Sequence, residues 1–157
     1  MNYEIEKQLK ENGFYVSTTV GISMWPMLKN RRDRVIIRPL PSGERLSRFD
    51  LPLYRRRDGK YVLHRVIGVR DGYYIIRGDN TYIKEKVKDE QIIGVMSEFY
   101  RKDRHILADN KKYHAYIRFW NLIYPFRFVM RKLRVFTWKV MVKLHLKPKW
   151  SPYNYDN

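Results

Sequence analysis

The chain contains no cysteine, which excludes a disulfide scaffold and thiolate metal ligation. Its opening, MNYEIEKQLKENGFYV, is polar and acidic and has no apolar stretch long enough for a secretory leader, so nothing in it directs export. Histidine is scarce, with four residues at 64, 105, 114 and 145. Acidic residues are missing from a long stretch after Asp109: from Lys111 to Trp150 there is no Asp or Glu, whereas eleven Lys and Arg fall there. That stretch carries most of the formal charge of +17, an excess that calls for an anionic partner surface, either nucleic acid or phospholipid. A length of 157 residues suits one compact domain with a short appendage. The charge asymmetry divides the chain into residues 1–108 and a basic extension, 109–157.

What is present in the front half is mostly β pattern. Glu4 to Glu11 reads as a short helix stopped by Asn12 and Gly13. Val35, Ile36 and Ile37 form a β-branched strand core before Pro39 and Pro41. Asp58-Gly59 and Asp71-Gly72 each lie between β-rich runs, and Asp-Gly favours the positive φ of a tight hairpin. Three antiparallel strands follow, at about 51–57, 60–69 and 73–77, with a further strand from Gln91 to Tyr100. Strand alternation places Val62, His64 and Val66 on one face of the middle strand and Leu63, Arg65 and Ile67 on the other. The expected fold is mainly β, an irregular barrel-like set of antiparallel strands, with a C-terminal helical basic extension.

Beyond Ala108 the period becomes helical. After a break at Pro125, Phe126, Val129, Met130, Leu133, Phe136, Val140 and Leu144 recur at three- and four-residue steps, with Arg and Lys on the other faces. Each Lys or Arg near a bilayer centre costs about 2.5–3.5 kcal/mol, which disfavours a spanning helix. A helix lying in the membrane interface fits better, with Trp120, Trp138 and Trp150 at headgroup depth. Two other readings stand beside it: a helical hairpin that covers the β domain with its apolar face, and an aromatic, cationic surface for single-stranded nucleic acid.

The segment GISMWPML places Ser23 in a Pro-containing turn. A serine hydroxyl becomes a nucleophile at neutral pH only with a base in reach, and a third group that orients the base improves it. His114 and His145 lie in the basic tail and His105 in a charged connector, which leaves His64 on the predicted sheet. Asp79, in Gly78-Asp79-Asn80, follows the next strand by one hairpin, and antiparallel pairing permits it beside the histidine strand. Taken singly, each residue also suits a structural role, Gly-Asp-Asn as a plain turn and Asp33 as a turn contact.

The ordered set Gly21-Ile22-Ser23-Met24-Trp25-Pro26, Arg32-Asp33-Arg34-Val35, Val62-Leu63-His64-Arg65-Val66 and Arg77-Gly78-Asp79-Asn80 resembles the motifs of the signal peptidase I and SOS-repressor-type serine peptidase clan. The resemblance spans roughly residues 18–96. Histidine before Arg65 is similar to the branch of endoplasmic-reticulum and archaeal-type signal peptidases, where histidine replaces the lysine base. The resemblance implies Ser23 as nucleophile, His64 as base, Asp79 as the orienting acid, and acyl transfer without metal or cofactor. It departs from signal peptidases at Gly21, where a serine is common, and in having no N-terminal membrane anchor.

The implied substrate is a peptide or preprotein, bound as an added strand, with small residues beside the cleaved bond. The expected setting is peripheral association with an anionic membrane surface, the cytoplasmic side favoured, with nucleic acid the less favoured partner. The alternatives are a non-catalytic relative on the same scaffold and a basic β-barrel that binds a peptide or nucleic acid.

Overall fold

The computed structural model describes residues 2–145, so Lys147, Lys149 and Trp150 of the basic tail lie outside the described residues. In chain order the elements are α1 (Asn2–Asn12), β1 (Tyr15–Thr18), β2 (Arg34–Arg38), β3 (Pro52–Arg55), β4 (Tyr61–Leu63), β5 (Arg65–Arg70), β6 (Tyr73–Arg77), β7 (Glu85–Lys88), β8 (Ile92–Arg101), β9 (Arg104–Leu107), α2 (Lys111–Leu122) and α3 (Tyr124–Lys143). Both sheets are antiparallel. The larger follows the order β1-β2-β8-β3-β4, with β9 also paired to β8, and curls into a half-barrel. The smaller is β5-β6-β7. The mainly β, barrel-like architecture with a helical C-terminal part is as the sequence predicts.

The Asp-Gly turns behave as their chemistry requires. Gly59 and Gly72 adopt φ of 81° and 71°, a region costly for residues with a Cβ. They join β3 to β4 and β5 to β6, the latter pairing Arg70 with Tyr73 directly across the turn. The predicted strand 60–69, however, is two strands. Val62 and Leu63 pair with Tyr54 and Leu53 of β3, whereas Arg65 and Val66 pair with Arg77 and Ile76 of β6. The chain changes sheets at His64, so the simple alternation of faces ends there: His64, Arg65 and Val66 are all buried in succession.

Each sheet has its own apolar cluster. Val35, Ile37, Leu53, Met96 and Phe99 of the larger sheet meet Leu9 of α1, Met24, Met27 and Leu28 of the serine turn, and Tyr113 and Ile117 of α2. Leu46, Tyr54, Val66, Tyr74, Ile76 and Val87 form the second cluster. Tyr54 belongs by backbone to the larger sheet and by ring to the second cluster, which ties the sheets beside the point where the strand crosses between them.

Asn110 caps α2, its side-chain oxygen accepting from the N–H groups of Lys112 and Tyr113. Ile117, 1% exposed, adds about 1.5–3 kcal/mol of burial to the first cluster. The basic extension thus begins as part of the β domain's own core. α3, with Pro125 in its first turn, contains no buried residue.

Candidate active site

The serine turn is held from both ends. Gly21, at φ 90°, donates its N–H to the Asn30 side chain, and Met24 accepts from the Leu28 N–H. Met24, Met27 and Leu28 are sunk in the first core, and the Trp25-Pro26 bond is cis. Asp33, fully buried, accepts from the Lys29 N–H and the Arg32 guanidinium, which makes it the turn contact expected of it. This anchorage leaves Ser23 half-buried at the wall of a groove of about 890 Å³. Among the described residues no acceptor takes the Ser23 N–H, so that donor is available to a developing oxyanion.

His64 enters the same groove from the point where the strand changes sheets. Its Nδ1 lies 3.2 Å from Glu85 Oε1 and 3.4 Å from the Tyr54 hydroxyl. Glu85, at the start of β7, is gripped on both oxygens by the Arg56 guanidinium, Nε and Nη2 each donating over 2.6 Å. Burial pushes the Glu85 carboxyl up, but hydrogen bonds from His64, Arg56 and Tyr54 outweigh it and hold it at about 2. A fixed anion at Nδ1 favours the tautomer with hydrogen on Nδ1 and a lone pair on Nε2. Nε2 lies near the serine turn: a Cβ placed on Gly78 would lie 3.1 Å from His64 Nε2 and 2.8 Å from the Ser23 carbonyl oxygen. Glycine at 78 is what lets the imidazole and the serine turn converge on one spot.

Asp79 does not take the role the resemblance implies. Its carboxylate is held by Arg65, Nε to Oδ1 and Nη2 to Oδ2, each at 2.7 Å. Both side chains are almost wholly buried, 1% and 3% exposed. Arg65 spends its remaining reach on the Phe49 carbonyl and the Tyr113 hydroxyl. The backbone carbonyl of Asp79 accepts from Trp120 Nε1 of α2 and from Arg127 Nη2 of α3. Beside it, the Asn80 N–H donates to the Ser23 carbonyl over 2.7 Å, and the Asn80 side chain donates to the Ile22 carbonyl. The physical reason is the sheet change: residues 64 and 65 project to different sides, and the loop after β6 follows Arg65. Gly78-Asp79-Asn80 is therefore the joint that holds the serine turn, β5 and the helices together, and the carboxylate beside the imidazole is Glu85.

Glu85 gave no signal in the sequence. It stands in the charged run Lys84-Glu85-Lys86-Val87-Lys88, which reads as a solvated hairpin. Its one cue is the alternation Glu85-x-Val87, which puts Glu85 on the inward face of a strand once Val87 is known to be buried. Tyr54 and Arg56, on and after β3, were equally silent.

Ile22, Leu28, Val35, Leu53 and Leu63 give the groove an apolar wall, with Thr19, Thr81 and Arg131 among its polar lining. Two edges of the larger sheet reach it, Tyr15, Ser17 and Thr18 from β1 and Tyr61, Val62 and Leu63 from β4. Among the described residues β1 pairs with β2 alone and β4 with β3 alone, so each keeps an unpaired backbone edge. No group of three or more His, Asp or Glu among the described residues could hold a metal ion. Compared with known proteins, the chain matches no family model and no curated protein sequence.

Proposed function

We propose that the protein is a serine endopeptidase of the signal-peptidase-like type, cleaving a peptide or preprotein by acyl transfer. The observation that carries the reading is the orientation of His64, with Nδ1 against Glu85 and Nε2 facing the Gly78 position that also abuts the serine turn. Ser23 Oγ attacks the scissile carbonyl while His64 Nε2 takes its proton, and the imidazolium then formed is stabilised by Glu85. The Ser23 N–H supports the oxyanion. The same proton returns from Nε2 to the leaving amine as the C–N bond breaks, leaving an acyl-Ser23 ester that water hydrolyses with His64 again as base. Asp79 acts in this reading through the fold, by holding the serine turn in place.

The open edges of β1 and β4 support binding of the substrate as an added strand, backbone to backbone, with apolar side pockets choosing the residues beside the cleaved bond. Small residues at that point are the expectation from the resemblance. The reaction is set at a membrane surface, reached peripherally and with the cytoplasmic side favoured. Among the described residues no helix is long and apolar enough to cross a bilayer.

A second reading, a non-catalytic relative that binds a peptide in the same groove, is favoured by one observation: among the described residues no hydrogen bond joins Ser23 Oγ to His64. Such contacts commonly tighten only when substrate is bound. A fluorophosphonate serine probe applied to the purified full chain separates the readings. The peptidase reading expects covalent labelling that Ser23→Ala abolishes and His64→Ala suppresses; a folded wild-type protein that resists the probe supports the second reading instead.

A further inference from the structure

α3 is built the wrong way round for a helix of a water-soluble domain. Its domain-facing side carries Tyr124, Phe128 and Arg131, which pack on Tyr82, with ring centroids 5.6 Å from Tyr82 for each of the two aromatic residues and the Arg131 guanidinium 4.8 Å above it. The opposite side carries Phe126, Val129, Met130, Leu133, Phe136 and Val140, all between 39% and 68% exposed. At about 100° per residue these six form a stripe roughly 120° wide, the width that normally faces a core. The hairpin reading, in which the apolar face covers the β domain, holds for Tyr113 and Ile117 of α2 but not for this stripe of α3, which turns outward.

We infer that the outward stripe of α3 is the seat of the protein on an anionic phospholipid surface. This rests on the membrane setting proposed above and is independent of the peptidase chemistry. Three features argue for that occupant. Exposed cations flank the stripe, Arg134 on one side and Lys132, Lys139 and Lys143 on the other, and no acid falls anywhere in the helix. Such long side chains lay their stems along apolar surface and lift their charges to the headgroups. A second copy docked through the same stripe would bring these rims together, cation against cation, with no carboxylate in α3 to relieve them. A nucleic acid needs cations at the centre of the contact, where α3 offers only uncharged apolar side chains.

The seat and the groove share one helix. Arg131 lines the groove, and Ile83, 77% exposed, stands on the groove's rim next to Tyr82, the residue α3 packs against. Seating α3 on lipid holds the mouth of the groove beside that surface, where a membrane-adjacent peptide segment would meet it.

The test is flotation of the purified full chain with vesicles of phosphatidylcholine alone or mixed with phosphatidylglycerol. The expected result is recovery with the phosphatidylglycerol vesicles, weakened by salt. The doubly substituted Leu133→Glu/Phe136→Glu protein should lose that recovery with an unchanged thermal midpoint. A second variant, Lys132→Glu/Lys139→Glu, leaves the stripe intact and should lower partitioning at least about tenfold, since each cation near an anionic surface contributes about 1 kcal/mol. Equal recovery of both stripe and charge variants with wild type would overturn the proposal. So would a wild-type dimer or RNA complex that Leu133→Glu/Phe136→Glu abolishes while vesicles recover nothing. Probe labelling at Ser23 plays no part in this readout, so the two proposals fail separately.

Discussion

His64 and Arg65 are consecutive residues that serve two different regions. On one side of the backbone, His64 meets Glu85, Arg56 and Tyr54 at the wall of an open groove. On the other, Arg65 meets Asp79, Phe49 and Tyr113 in a dry interior. Each region pairs one carboxylate with one guanidinium, yet the imidazole is offered to only one of them. The carboxylate in the groove keeps some access to solvent and lies against the imidazole, whereas the interior one is closed off from solvent and held by Arg65. Which carboxylate meets the imidazole is thus decided by the side of the chain it serves, and the change of sheet at residue 64 makes that choice.

The largest expected difference between the two regions is at Ser23, the proposed nucleophile. Ser23→Ala should lower peptide cleavage by at least about 10³-fold while leaving the thermal midpoint unchanged, because the half-buried hydroxyl makes no hydrogen bond among the described residues. Activity that survives this substitution would place the chemistry elsewhere.

Asp79→Asn should act on the other quantity. Removing one charge of a buried, bidentate pair strands the Arg65 guanidinium, with a cost of about 3–5 kcal/mol, read as a fall in the urea midpoint. Any protein that remains folded should keep the wild-type pH–rate profile, since Asp79 does not touch the imidazole. A shifted profile with unchanged stability would return Asp79 to the role the resemblance implies.

Glu85→Gln is the mirror case. It removes the anion from Nδ1, so the imidazole loses the partner that orients it and the rate should fall by roughly 10²-fold. Because the folded Glu85 pKa of about 2 lies below the ordinary glutamate value, its stabilising contribution is complete above that ordinary value and fades as pH drops through the folded pKa. Urea midpoints measured from pH 5 to 2 should decline in wild type and stay flatter in the variant.

What the sequence makes legible follows from where local chemistry decides structure. The Asp-Gly pairs specify their hairpins through backbone φ, and Pro125 opens α3 because its missing N–H costs nothing in a first turn. Ser23 and His64 can be singled out because few residue types perform their chemistry. Glu85 is hidden because a glutamate in a lysine-rich hairpin looks solvated until the tertiary fold turns one side of β7 inward. The break at His64 is hidden for a related reason: Val62 through Val69 has unbroken β character, and only pairing with two different partners divides it. β1, β7 and β9, each four residues long, are too short to show a period of their own. α3 shows the opposite limit, since its periodicity is plain in the sequence while the direction its apolar side faces depends on what Tyr82 and Arg77 present to the other side.

Gly78 sits where the two regions meet, between Arg77 in the interior and the loop that carries Asp79. Its position tests whether they must stay closely packed. A Cβ there would approach the Ser23 carbonyl at 2.8 Å and His64 Nε2 and Thr81 Cγ2 at 3.1 Å each. The serine turn cannot retreat easily, because Met24, Met27 and Leu28 are locked in the core behind it. The imidazole is the softer neighbour, so Gly78→Ala should displace His64 before it displaces Ser23, with an overpacking cost of about 1–3 kcal/mol. The expected signature is a loss of cleavage larger than the loss of stability, with Asp79 still paired to Arg65. Equal losses in both would mean that the joint, and not the distance between base and nucleophile, is what the missing side chain protects.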